Sequence, residues 1–319
     1  MLHYLKEDIE KNVSMADVME AVRQAFSMME KGQIAAPLRT VIPAESGTLL
    51  YMPAYSAALG MAVLKCVSVF PGNAARGLFT TPAEILLTDA GTGYMLAMMD
   101  GTCVTQLRTG AASGVAFDVL ARKECRKGAL IGTGGQAAAQ LEAMLTARDL
   151  EEVSLYSRNR EKCAAFAEKA RAKYAGRKVR IRCAESSAEC VEDADLIITA
   201  TTSATPVFDG ALVKSGATVS CVGTYEPEKH EVDSALIARA DKIFCDSREA
   251  VLSESGDLLI PIREGGITED DVLGGLGEVI NGTLPGRESE EEIIVFETVG
   301  TAAQDLLAAA MIHRKLCAE

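Results

Sequence analysis

Between Ser14 and Lys31 the apolar residues Met15, Val18, Met19, Val22, Phe26 and Met29 return every three or four positions. That period predicts an amphipathic helix, with Ser14 as its N-cap and Gly32 as its stop. The pattern then changes. The runs TVIPAESGTLLYMPAYS, MAVLKCVSVF and AEILLTDAGTGYMLAMMDG are short, β-rich and broken by Gly and Pro, which predicts antiparallel strands and hairpins. DAGTGY is the clearest turn, with Gly91 and Gly93 expected at positive φ. TQLRTGAASGVAFDVLAR reads as a helix crowded with Ala, Gly and Ser, small residues that admit another backbone or a ligand. From Cys125 strands and helices alternate: KGALIGTGG, a helix to about Arg148, VSLYSR, a helix through Lys173, then VRIRCA, ADLIITATT, ATVSCVG and KIFCDS. Such alternation predicts a parallel sheet with right-handed crossovers. After ESEEE come one strand, IIVFETVG, and one helix, TAAQDLLAAAMIHRKL, and no internal repeat is found.

Composition narrows the class. The 319 residues are 48% apolar, enough for two domains or one large α/β domain. A net charge of −13 argues against nucleic-acid or anionic-membrane partners, which call for basic excess, but not against a small anion held by two or three local cations. Cys66, Cys103, Cys125, Cys163, Cys183, Cys190, Cys221, Cys245 and Cys317 form no CxxC pair, and only His3, His230 and His313 could join them. No metal site or disulfide framework is expected, and free thiols suit the cytoplasm. The charged, periodic start is unlike a signal peptide, and no 18-residue apolar run is present, so a soluble intracellular protein is expected.

KGALIGTGGQAA carries Gly132, Gly134 and Ala137 as G-x-G-x-x-A between an apolar strand and an Ala-rich helix. In that context the first glycine makes the tight turn, the second admits a pyrophosphate, and the alanine lets helix and strand pack. A dinucleotide site is therefore expected, against the alternative of an ordinary strand–helix turn. The next strand ends in Ser157-Arg158-Asn159, with Arg160 and Lys162 beyond, where an NAD site usually has Asp or Glu. A hydroxyl and guanidinium suit a 2′-phosphate, so NADP(H) is preferred to NAD(H); the alternative is a solvated basic turn. ITATTSATPVF and SCVGTY place Thr199, Thr201, Thr202, Val222, Gly223 and Thr224 after strand ends, the edge that faces ligand in doubly wound sheets, although turn chemistry would use the same residues.

Three cations stand in odd places: Arg39 in APLRTVIP, Lys65 inside the apolar run MAVLKCVSVF, and Arg108 opening the small-residue helix. Charge inside apolar strands is costly unless paired or used. Either the three converge as a carboxylate trap or they make three separate structural ion pairs.

The stretches APLRT, YMPAYS, LKCVSVFPGN, GLFTTPAE, MMDGTCVTQLRTGAASG, LIGTGGQA, DADLIITATTS, VGTYEPEKHEVD, ESGDL, LGEVINGTLPGR and FETVGTAAQDLLAAA, in this order and spacing, resemble the ornithine cyclodeaminase/mu-crystallin family almost end to end. The resemblance implies a Rossmann doubly wound parallel-sheet domain, residues 122–295, inserted into an α+β substrate-binding and dimerisation domain, residues 1–121 plus 296–319. It implies that Arg39, Lys65 and Arg108 grip a substrate carboxylate, that Val299 lies near the substrate, and that Thr80, Gly135, Gln136 and Ser157 contact the cofactor. Two departures stand out. Leu50 occupies the position of an acidic residue in cyclodeaminases, and Tyr225 that of their catalytic Asp. The expectation is thus an NAD(P)H-dependent oxidoreductase of amino acid metabolism, a homodimer. It would reduce a cyclic ketimine or interconvert an amino acid and its oxo acid, with Lys65 anchoring substrate and relaying the proton and Tyr225 a weaker donor. The alternatives are an ornithine-to-proline ammonia-lyase and a non-catalytic NADP(H)-binding protein.

Overall fold

The computed structural model describes residues 1–317; Ala318 and Glu319, which close the expected 296–319 segment, lie outside the described residues. The chain forms two compact units, Met1–Ala111 with the chain from Gly300 onward, and Ala112–Val299. The sequence reading set the joints at 121/122 and 295/296. By contacts they fall at 111/112 and 299/300, so the strand Ile294–Glu297 stays whole.

The first unit is built on β1 (Leu2–Tyr4), β2 (Thr40–Ala44), β3 (Gly47–Ser56), β4 (Met61–Val69), β5 (Ala83–Asp89) and β6 (Met95–Asp100), in the order β1-β6-β5-β4-β3-β2. Neighbours are antiparallel except β1, which runs parallel to β6. Alternation puts Val63, Lys65 and Val67 on the buried face of β4. Register places Lys65 between Met52 of β3 and Ile85 of β5. The helix Ala302–Cys317 packs on β3, β4 and β5 and against the helix Met15–Glu30. Ser14 caps the latter by accepting from the Asp17 amide, while the Asp17 carboxylate accepts from Ser14 N at 2.9 Å.

One turn differs from expectation. In DAGTGY only Gly93 is left-handed, at φ 77°. Asp89 Oδ1 accepts from the amides of Gly91 and Thr92, both at 2.9 Å, so the aspartate organises that end of the turn without a positive φ at Gly91.

The second unit has eight strands: β7 (Lys127–Ile131), β8 (Glu152–Tyr156), β9 (Arg180–Cys183), β10 (Leu196–Thr199), β11 (Thr218–Cys221), β12 (Lys242–Cys245), β13 (Val272–Gly275) and β14 (Ile294–Glu297). All pairings are parallel, in the order β9-β8-β7-β10-β11-β14-β12-β13. Central strands are buried on both faces, between one cluster around Val219, Val295 and Leu258 and another around Leu130, Leu155 and Met144. This is the doubly wound sheet the sequence predicts. Its order reverses between β7 and β10, and the crevice outside their carboxyl ends is where such sheets bind ligands.

Candidate active site

The cation cluster lies within the first unit. Lys65, 1% exposed, sits in an apolar row and faces one acid: its Nζ is 2.7 Å from Asp305 Oδ2 on the covering helix. Arg108 Nε donates to the other oxygen, Asp305 Oδ1, at 3.1 Å, and its Nη1 to Gln304 Oε1 at 3.0 Å. Arg39 Nη2 donates to the Gly300 carbonyl at 2.9 Å. Gly300 is left-handed at φ 81°, and a side chain there would collide with the Arg108 guanidinium. The glycine of FETVG is therefore what lets Arg108 lie against the backbone that Arg39 also holds.

Two buried cations, Lys65 and Arg108, thus share a single carboxylate, with Arg39 held on the neighbouring Gly300 carbonyl. Such positive excess in a buried place is costly without a further anion, and a ligand carboxylate would complete it. The Lys65 ammonium meets no aligned hydrogen-bond acceptor among the described residues, although its ion pair with Asp305 is close. Burial first, then the charges of Arg108 and Arg39, push its pKa down to about 7, against the opposing pull of Asp305. A lysine so placed both attracts an anion and gives up a proton near neutrality. Asp305 and Gln304 were not singled out from the sequence. The available signal was a polar pair inside TAAQDLLAAA, a helix otherwise apolar over that stretch.

The glycine loop lies in the second unit. Gly132, at φ 108°, has no room for a side chain, because Cβ would strike the Ala200 carbonyl. Gly134 is the opposite case: a Cβ there would meet nothing within 4 Å. Open space therefore borders its backbone, as a pyrophosphate requires. The helix Ala137–Ala147 follows with no side-chain cap from Gln136, whose buried Oε1 has no hydrogen-bond partner among the described residues, and its N-terminus faces the loop with Ala137 N donating to the Gly134 carbonyl at 3.1 Å. Gly135 stands between them in the same loop.

At the end of β8, Ser157 is half-buried and Arg158 exposed. Asn159 is otherwise engaged: its Oδ1 accepts from Lys162 N at 2.9 Å and caps the helix Arg160–Lys173. Arg160 pairs with Glu185 at 2.5 Å. Of that basic run, Arg158 and Lys162 have no ion-pair partner among the described residues. After β10 and β11, Thr201 N and Gly223 N both donate to Glu231, while Thr224 Oγ1 donates to the Lys229 carbonyl at 2.8 Å, closing its own loop. Val222 packs at the margin of one core cluster and Tyr225 at the margin of the other, of which buried Val299 is a member. In the first unit Thr80 is exposed in the loop before β5, and Leu50 is buried in β3.

Comparison with known proteins places this arrangement. The model of the ornithine cyclodeaminase/mu-crystallin family matches residues 2–319. A Delta(1)-pyrroline-2-carboxylate reductase of Bacillus cereus is 38% identical over 307 residues, covering 96% of this chain and 93% of its own. The structure of the Thermococcus litoralis Delta(1)-pyrroline-2-carboxylate reductase in complex with NADH and L-proline superposes with a TM-score of 0.96 at 39% identity, over 100% of this chain and 98% of its own. An archaeal alanine dehydrogenase dimer with bound NAD follows at 0.91 and 34%, over 100% and 96%.

Proposed function

This chain belongs to the ornithine cyclodeaminase/mu-crystallin family, and within it we propose a nicotinamide-dependent oxidoreductase that reduces imines bearing a carboxylate. Cyclic ketimines such as pyrroline-2-carboxylate lead, with interconversion of an amino acid and its oxo acid by the same hydride transfer close behind. The observation that carries this reading is that two buried cations, Lys65 and Arg108, share the one carboxylate of Asp305.

The second unit suits a dinucleotide. Gly132, Gly134, Gly135 and Gln136 would hold the pyrophosphate, and Ser157, Arg158, Asn159, Thr201 and Val222 would line the rest. When bound, that cofactor supplies hydride from C4 of its ring. The chain supplies the remainder. Arg39 and Arg108 orient the substrate carboxylate, and Lys65 holds it and furnishes the proton that the imine nitrogen takes. The absence of an acid at Leu50 and at Tyr225 supports reduction over cyclodeamination, in which a second amine must be held and expelled. The dimeric archaeal neighbour supports a homodimer.

The test is a substrate panel with NADH and NADPH, followed at 340 nm. Reduction of a cyclic ketimine, or amino acid formed from oxo acid and ammonia, is expected. Ammonia release from ornithine with no net cofactor change would instead identify a lyase, and tight NADPH binding with no turnover a binding protein.

Two variants probe the cofactor reading. Gly134→Val is expected to fold with a thermal midpoint within about 2 °C of wild type, since its side chain enters open space. It should lose nicotinamide fluorescence enhancement altogether. We also propose a preference for NADPH, from Arg158. Arg158→Asp should raise KM for NADPH by about tenfold or more, the worth of a charge-assisted hydrogen bond, and leave or lower KM for NADH. Equal effects on both cofactors would remove the 2′-phosphate contact from the account.

A further inference from the structure

The second unit buries a cluster of carboxylates for which the chemistry above has no use. Glu231, Asp257 and Glu297 are each 0% exposed, and Asp246, at the end of β12, is 4% exposed. We propose that Glu231 is the positioning residue of the cofactor crevice: its carboxylate ties the loop after β10 to the loop after β11, fixing the backbone that receives the dinucleotide. The inference rests on the cofactor reading above and on no assumption about the substrate.

The geometry is specific. Glu231 Oε1 accepts from Thr201 N and Oε2 from Gly223 N, both at 2.6 Å. A side chain on Gly223 would collide with that carboxylate, so residue 223 is glycine because Glu231 stands against it. Gly132 of the dinucleotide loop in turn packs on Ala200 and Thr201 with no room for a Cβ. Three loops are thereby held in one stack, and Glu231 is the only side chain that hydrogen-bonds the backbone of two of them in this arrangement among the described residues. Asp257, on the helix Gly256–Arg263, supports Glu231 from behind, its Oδ1 accepting from Glu231 N at 2.7 Å and Val232 N at 2.8 Å.

The distribution of charge agrees with this role. Three carboxylates without a cation among them cannot all ionise away from water. Asp257 Oδ2 and Glu297 Oε2 have no hydrogen-bond partner among the described residues, and they are the atoms that can carry protons. Glu231 spends one oxygen on each backbone amide, an arrangement that favours its anion. Burial pushes Glu231 up to about 7, burial and the Glu231 charge push Asp257 up to about 8, and burial and the Asp257 charge raise Glu297 well above the ordinary carboxylate range. Replacing Glu231 with Gln turns one acceptor into an NH2 group facing an N–H, and that loop is released.

The experiment is direct binding of NADH and NADPH to Glu231→Gln by nicotinamide fluorescence, with steady-state kinetics beside it. Kd and KM for cofactor are expected to rise at least tenfold, with kcat at saturating cofactor within threefold of wild type. A merely structural role gives the reverse split, because a smaller folded fraction lowers apparent kcat and leaves KM unchanged. Should Glu231→Gln not fold, Glu231→Asp keeps the charge but is one methylene too short to reach both amides, and the same loss is expected. Wild-type affinity in either folded variant overturns the inference. Failure of the wild type itself to bind either cofactor would instead overturn the cofactor reading.

Discussion

Lys65→Met is expected to lower kcat/KM for reduction of a carboxylate-bearing imine by about 10²- to 10⁴-fold, the range associated with losing a positioned proton donor. Met keeps the volume that fills the row between Met52 and Ile85 and removes only the ammonium. Asp305 retains Arg108 as a partner at 3.1 Å, so the fold should survive the change. The pH dependence makes the prediction sharper. Because burial and the neighbouring guanidinium of Arg108 bring Lys65 to about 7, the proton needed for reduction is present below that pH and lost above it. Wild-type kcat/KM for reduction should therefore fall toward tenfold per unit as pH rises beyond about 7, and oxidation of the amino acid should rise over the same interval. In Lys65→Met that limb should vanish from both directions. A variant that keeps the limb assigns the proton to another group.

Asp305→Asn is expected to be the most destabilising single change at the site. It leaves Lys65 and Arg108, both almost fully buried, without their shared anion. Breaking a buried pair in this way costs about 3–5 kcal/mol, which urea denaturation would read as a lower midpoint with an unchanged slope. Its second effect is catalytic. Asp305 is the group that raises the Lys65 pKa against burial and two guanidiniums. Without it the lysine loses its proton at lower pH, so the falling limb of the reduction profile should move below 7. Activity at neutral pH should drop and be partly regained on acidification. Loss of stability with the limb unmoved would show that Asp305 only braces the helix.

Much of this was legible in the chain. Alternation through MAVLKCVSV predicts a strand, and a lysine at its centre on the apolar face is conspicuous because so few charges are tolerated there. The glycine loop declares itself through its flanks, and the structure gives each glycine a distinct reason: Gly132 for crowding, Gly134 for open space. What could not be read are pairings between distant segments. Asp305 lies 240 positions from Lys65 by subtraction of their numbers, and nothing local says that it turns inward. Glu231 and Asp257 look like surface acids in EKHEVD and ESGDL, yet both end up buried on backbone amides. Asn159 illustrates a second role that local pattern does not announce: beside Ser157 and Arg158 it suggests a ligand contact, and its Oδ1 also caps the helix that begins at Arg160. Local pattern fixes elements well, whereas the partner of a buried charge is set by topology.

A ligand carboxylate is what Lys65 and Arg108, sharing Asp305, are expected to hold together with Arg39. The measurement is kcat/KM of the wild-type protein for pyrroline-2-carboxylate against 1-pyrroline, the same ring without the acid group, with NADPH and NADH at pH 7. The account predicts a preference of about a thousandfold or more for the carboxylate, the worth of roughly 4 kcal/mol of transition-state binding. Comparable turnover of the two rings would contradict it.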